Sequence, residues 1–205
     1  MFVTLEGIDR SGKTTQAALL AEALGPQTLL LREPGGTPVG ERVRELLKDP
    51  ELELSARAEL LLFSAARAQL VGEVIGPARE GGRDVVCDRY VDSTVAYQGV
   101  ARGLGVEPVE RLNRLVVADC TPDLTLLLRI DPDEAEARGQ ARLAAGAADG
   151  DDRFEAEGIE FQRAVARAYD ELAERHPERI VVIDAAGEAS EVHDRVLGAV
   201  RSRRP

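Results

Sequence analysis

Positions 7–15 read Gly7-Ile8-Asp9-Arg10-Ser11-Gly12-Lys13-Thr14-Thr15. The run follows the apolar-rich stretch Met1–Leu5 and opens a helical pattern over Lys13–Leu24. Its first eight residues match Gly-x-x-x-x-Gly-Lys-Ser/Thr, in the strand, loop and helix setting that the pattern requires. Glycines at both ends let the backbone curl until successive N–H groups converge, and the helix N-terminus adds a partial positive charge at the same spot. The nine residues therefore predict a phosphate cradle. Lys13 is expected to reach the β- and γ-phosphates of ATP, and Thr14 to ligate Mg²⁺.

Outward from this loop, short β-branched or leucine-rich runs alternate with helical patterns. The strand candidates are Phe2–Glu6, Thr28–Arg32, Asp84–Asp88, Leu124–Ile130 and Ile180–Asp184. Helices are expected over Val39–Leu47, Ser55–Arg79, from Asp131-Pro132 onward, near Phe154–Arg175 and over Ala189–Arg201. Such alternation predicts an α/β fold, a five-stranded parallel sheet with helices on both faces, because parallel strands need crossovers. Ligands of such a sheet bind at the carboxyl ends of its strands. Asp88 ends the third strand, on the same rim as the phosphate loop, and is the expected second side chain on the metal.

The bulk properties narrow the partners. A formal charge of −11 gives a nucleic-acid polymer or an anionic membrane no long-range attraction, so an anion must be captured locally by arginines and backbone amides. Glu6 interrupts the N-terminus before an apolar core of signal-peptide length develops, and no run of about 18 apolar residues occurs, so a cytoplasmic chain without membrane contact is expected. Cys87 and Cys120 are expected as buried reduced thiols. The 205 residues suit one domain, with the small acidic stretch Ala144–Asp152 as a mobile segment within it.

Four further stretches carry a resemblance. Arg32–Leu47 (REPGGTPVGERVRELL), Phe63–Leu70 (FSAARAQL), Asp88–Gly99 (DRYVDSTVAYQG) and Arg153–Glu155 (RFE) stand in the order and spacing of thymidylate kinases. With the phosphate loop they span most of the chain. The resemblance implies a P-loop nucleoside monophosphate kinase fold with a mobile lid, at about 138–153. It also implies transfer of the γ-phosphoryl group of ATP to dTMP, giving dTDP and ADP, and a homodimer. The helix over Ser55–Arg79, apolar on more than one face, agrees with a covered or paired surface.

Phe63 and Arg67 are four apart on one helix and share a face. A ring there can stack on a base while the guanidinium, which only donates, meets an acceptor such as thymine O4. The resemblance gives Arg89 the dTMP phosphate, Thr94 and Gln98 the base or its surroundings, and Tyr97 the wall beside the sugar's 2′ carbon. Glu33 falls in the substrate-side loop. The resemblance also implies that Asp9 accepts from the sugar 3′-hydroxyl and that Arg10 reaches across the transferred phosphoryl group. Arg10 is the first candidate for a catalytic arginine and Arg153 the second, beside Lys13 and Asp88, because phosphoryl transfer depends on positioned positive charge.

Overall fold

The computed structural model describes residues 1–144, 146, 153–154 and 157–204, the side chain of Arg142 apart. Residues 145 and 147–152 of the expected lid, and Glu155 of the Arg-Phe-Glu stretch, lie outside the described residues.

Five strands form one parallel sheet: β1 (Phe2–Glu6), β2 (Leu29–Arg32), β3 (Val85–Asp88), β4 (Leu124–Arg129) and β5 (Ile180–Asp184). Their order is β2-β3-β1-β4-β5. Each β1 residue is buried, as the near-continuous apolar sequence of a strand covered on both faces requires. The edge strands alternate instead, which leaves Leu30 and Val182 partly exposed. Val3, Leu5, Val86, Leu124 and Leu126 sit fully buried at the centre. Each such side chain contributes about 1.5–3 kcal/mol through burial.

The helices are α1 (Lys13–Leu24), α2 (Pro38–Lys48), α3 (Ala56–Leu70), α4 (Gly76–Glu80), α5 (Val91–Thr94), α6 (Val106–Val117), α7 (Pro132–Ala144), α8 (Ile159–Arg175) and α9 (Ala189–Arg203). Thr37 caps α2 by accepting from the Gly40 amide at 2.9 Å, and Pro38 follows it at the first helical position. The expected helix over 55–79 is α3 and α4 joined through a π-helical turn at Val71–Ile75. A second π-helical segment, Val95–Ala101, continues α5 and carries Tyr97 and Gln98. The helix expected near Phe154 starts only at Ile159, one residue after Gly158, a poor helix former. Helix α6 has no counterpart among the sequence expectations.

Strand register decides where the site lies. Asp88 aligns with Leu5 of β1 and with Arg32 of β2. The residues that follow these strands, Gly7, Glu33 and Arg89, therefore gather on one rim.

Candidate active site

The phosphate loop closes between β1 and α1 as its glycines require. Gly7 has φ 144°, and a Cβ there would come within 2.6 Å of the Leu128 carbonyl oxygen. Gly12, at φ 92°, turns the chain into α1. Lys13 folds back over the loop and donates to the Ile8 carbonyl at 2.5 Å and to Ser11 Oγ at 3.2 Å. Burial, reinforced by Arg89 and opposed by Asp9, Asp88 and Glu6, lowers its pKa to about 8. Thr14 Oγ1 donates to Asp88 Oδ2 at 2.6 Å, so the two candidate metal ligands meet across the loop. Asp88 Oδ1 is buried without a hydrogen-bond partner.

A cavity of about 400 Å³ opens beside the loop. It is lined by Asp9, Arg10, Gly12, Lys13, Thr14 and Thr15 on one side, and by Glu33, Phe63, Arg67, Arg89, Thr94, Tyr97 and Gln98 on the other. Ser11 is buried beneath the loop. All but a few of the residues singled out in the sequence thus line a single space. Phe154 covers part of it, edge-on to Phe63 with ring centroids at 5.8 Å and to Tyr97 at 6.4 Å.

Arg67 is 1% exposed and lies at the inner end of this cavity. Its Nε donates to Glu33 Oε2 at 2.8 Å, one terminal nitrogen to Asn113 Oδ1 at 3.0 Å, and the other to the Tyr90 carbonyl at 2.9 Å. The guanidinium plane is therefore fixed before any ligand arrives. Burial raises the Glu33 pKa to about 7, and Arg67 works against the rise. Glu33 Oε1 and Thr94 Oγ1 are buried without partners. Unsatisfied polar atoms on a cavity wall call for a bound group to complete them.

Arg89 donates to Asp9 Oδ1, to the Gly7 carbonyl at 3.1 Å, to Ser93 Oγ at 3.2 Å and to Tyr97 Oη at 3.2 Å. Tyr97 Oη and Gln162 Nε2 donate to the other Asp9 oxygen at 3.0 and 2.8 Å. Burial pushes the Asp9 carboxyl up, but Arg89 and Lys13, with the Gln162 and Tyr97 bonds, outweigh it and hold it below the usual range. Arg10 and Arg89 both adopt positive φ, 64° and 69°. Backbone strain of this kind, about 1–3 kcal/mol per residue, concentrates at functional sites.

Arg10 lines the cavity and pairs with Glu136 of α7 at 2.9 Å. Arg153 is not brought to the cavity wall: it pairs with Glu59 at 2.8 Å and donates to the Leu47 carbonyl at 3.1 Å. Cys87 is buried as expected, whereas Cys120 is only half-buried, and both thiols are free. Arg44, Lys48 and Ser93 also line the cavity, and Gln162 holds Asp9, although none of the four was singled out beforehand. Arg44 and Lys48 lie four apart on α2, a spacing that places both on one face. Gln162 carried no signal, because nothing along α8 distinguishes a glutamine that reaches 153 residues back in the chain.

The model of the family described as thymidylate kinase matches residues 5–196. The thymidylate kinase of Syntrophotalea carbinolica is 48% identical over 199 residues, covering 95% of this chain and 92% of that protein. That of Desulfosudis oleivorans is 45% identical over 205 residues, covering 98% and 96%. The crystal structure of thymidylate kinase from Ehrlichia chaffeensis superposes with a TM-score of 0.78 at 35% identity, over 98% of both chains. Similarity of this extent, end to end and in three dimensions, leaves no segment of the cleft outside the match, and the chain belongs to the thymidylate kinase family.

Proposed function

We propose that the cleft transfers the γ-phosphoryl group of ATP to dTMP, giving ADP and dTDP. The observation that carries this reading is the meeting, in one cavity, of the phosphate loop with a fixed guanidinium, an aromatic ring and two orphaned polar atoms. The loop from Gly7 to Thr15 holds the triphosphate with its amides and with Lys13. Thr14 and Asp88 fit Mg²⁺: both offer oxygens, the two side chains are in contact, and the second Asp88 oxygen is buried with no partner. The ion, when bound, neutralises charge between the phosphates.

Phe63 stacks on the thymine, and Arg67, with Thr94 and Gln98, meets the base. Glu33 keeps Arg67 in place. Tyr97 fills the space beside the 2′ carbon, and Asp9 accepts from the 3′-hydroxyl. Arg89 binds the dTMP phosphate bidentately, as a guanidinium fork suits phosphate. An oxygen of that phosphate attacks the γ-phosphorus while the bond to the β–γ bridging oxygen breaks, and the electron pair leaves with ADP. Arg10 lies nearest to the transferred group and stabilises its charge, whereas Arg153 is held away from it by Glu59. A lid at about 138–153 of a single domain, beginning within α7, belongs to this reading.

A homodimer through α3 and α6 is supported by Leu61 and Leu115, which are 59% and 79% exposed on these two helices. No helix among the described residues is long and apolar enough to cross a membrane. Free cysteines and the use of ATP support a cytoplasmic setting. Measuring ADP release against a panel of nucleosides and monophosphates tests the reaction. Turnover should be greatest with dTMP, and turnover with dTMP no faster than with water alone would refute it.

A further inference from the structure

We infer that Glu59, on α3 behind the cavity, is a positioning residue that decides which end of the Gln98 amide faces the acceptor's base, and so the preference for a pyrimidine with hydrogen on N3. The inference rests on the reading of the cleft given above. Glu59 is fully buried. Its Oε1 accepts from Gln98 Nε2 at 2.7 Å and from Arg102 Nε at 3.3 Å. Its Oε2 accepts from the Arg102 guanidinium at 3.3 Å and lies 2.8 Å from that of Arg153. Arg102 continues to Glu157 at 2.5 Å, so two guanidinium groups face two carboxylates. A buried carboxylate balanced in this way stays where it is, because losing its partners would strand a charge.

Gln98 has two ends of opposite chemistry: the amide NH₂ donates and the carbonyl oxygen accepts. An ionised carboxylate only accepts, so Glu59 takes the NH₂ end. The flipped amide would set two oxygen lone pairs against each other at the same spacing. The carbonyl oxygen of Gln98 is left for the cavity that this residue lines, and no donor among the described residues bonds to it. An acceptor there suits the N3–H of thymine and repels the N3 lone pair of cytosine. Arg67, which only donates, supplies the complementary contact to O4. The base edge is thus read by a donor and an acceptor side by side, and Glu59 fixes the acceptor without touching the base.

The test compares initial rates with dTMP and with dCMP at saturating ATP, for the full chain and its variants. Glu59→Gln offers Gln98 a donor as well as an acceptor and frees it to turn over. Glu59→Asp keeps the charge against Arg102 and Arg153 but ends one methylene short of Gln98. Each should lower the dTMP-over-dCMP ratio of kcat/KM by about tenfold or more, through KM for dTMP, with KM for ATP unchanged. Gln98→Ala should lower the ratio as far, and adding Glu59→Gln to it should lower it no further.

A wild-type ratio in a folded Glu59 variant overturns the inference, as does an additive loss in the double variant. If neither Glu59 variant folds, Gln98→Ala decides alone, and an unchanged ratio there also overturns it. Wild-type protein with no preference for dTMP over dCMP would instead defeat the reading of the cleft itself.

Discussion

Arg89 donates to Asp9 across the floor of the cleft and so joins the loop after β1 to the loop after β3 where the two nucleotides are proposed to meet. Both residues are charged, mostly buried and held by further bonds to Tyr97, Gln162 and Ser93. The proposed acceptor side of the site is therefore held in place by contacts within the protein itself.

The depressed Asp9 pKa has a consequence for stability. Its folded value lies below the ordinary 3.8, so the unfolded chain takes up this proton first on acidification. The contribution is present above pH 3.8 and is lost as the pH falls through the folded value. Asp9→Asn should be less stable than wild type by about 1–3 kcal/mol at pH 7. Urea unfolding of both proteins should show this gap constant from about pH 6 to 5, well below the Lys13 value of about 8, and shrinking below about pH 4. A gap independent of pH would show that Arg89 does not depend on the Asp9 charge.

Arg10 passes so close to α7 that a Cβ at Gly139 would overlap its guanidinium. Arg10→Ala should lower kcat by at least about 10²-fold with little change in nucleotide affinity. Gly139→Ala should displace the flexible end of Arg10 and lower kcat as well, while the melting temperature changes little. Steady-state kinetics and thermal unfolding check both. Unchanged kcat in Arg10→Ala would move the catalytic charge to another arginine.

The fold and the phosphate loop were legible because they depend on local patterns. Gly7 and Gly12 bracket the loop, and strand and helix periods alternate on either side of it. Asp88 was legible for a related reason: it ends a buried strand, and parallel register carries every strand end to the same rim. Phe63 and Arg67 were visible as neighbours on one helix face, but the anchoring of Arg67 by Glu33, Asn113 and Tyr90 was not. Those contacts join four separate elements, and no period in the sequence encodes them. Gln162 and Glu59 escaped for the same reason. Helix α6 was missed although its buried face, Val109, Asn113 and Val117, keeps a helical spacing, because an asparagine interrupts the apolar set. The pairing of Arg153 with Glu59 depends on a tertiary contact with α3 that the Arg-Phe-Glu stretch does not disclose.

Arg67 holds Glu33 and is proposed to read the base, and the two roles separate on substitution. Arg67→Ala removes the only cation bonded to Glu33 among the described residues and should destabilise the protein by about 3–5 kcal/mol, since it leaves a buried carboxyl group without its partner. Arg67→Lys retains the charge but not the planar fork, and it should raise KM for dTMP by about tenfold while leaving KM for ATP unchanged. Denaturant unfolding and two-substrate kinetics measure the two effects. Equal increases in both KM values would contradict a role at the base edge.

A crystal structure with dTMP, magnesium and a non-hydrolysable ATP analogue bound together would bear on all of these points at once. The thymine should lie against Phe63 with its edge toward Arg67 and Gln98, and its phosphate should rest on Arg89, in line with the γ-phosphorus. A thymidine nucleotide away from Phe63, or a phosphate too distant for in-line attack, would contradict the arrangement.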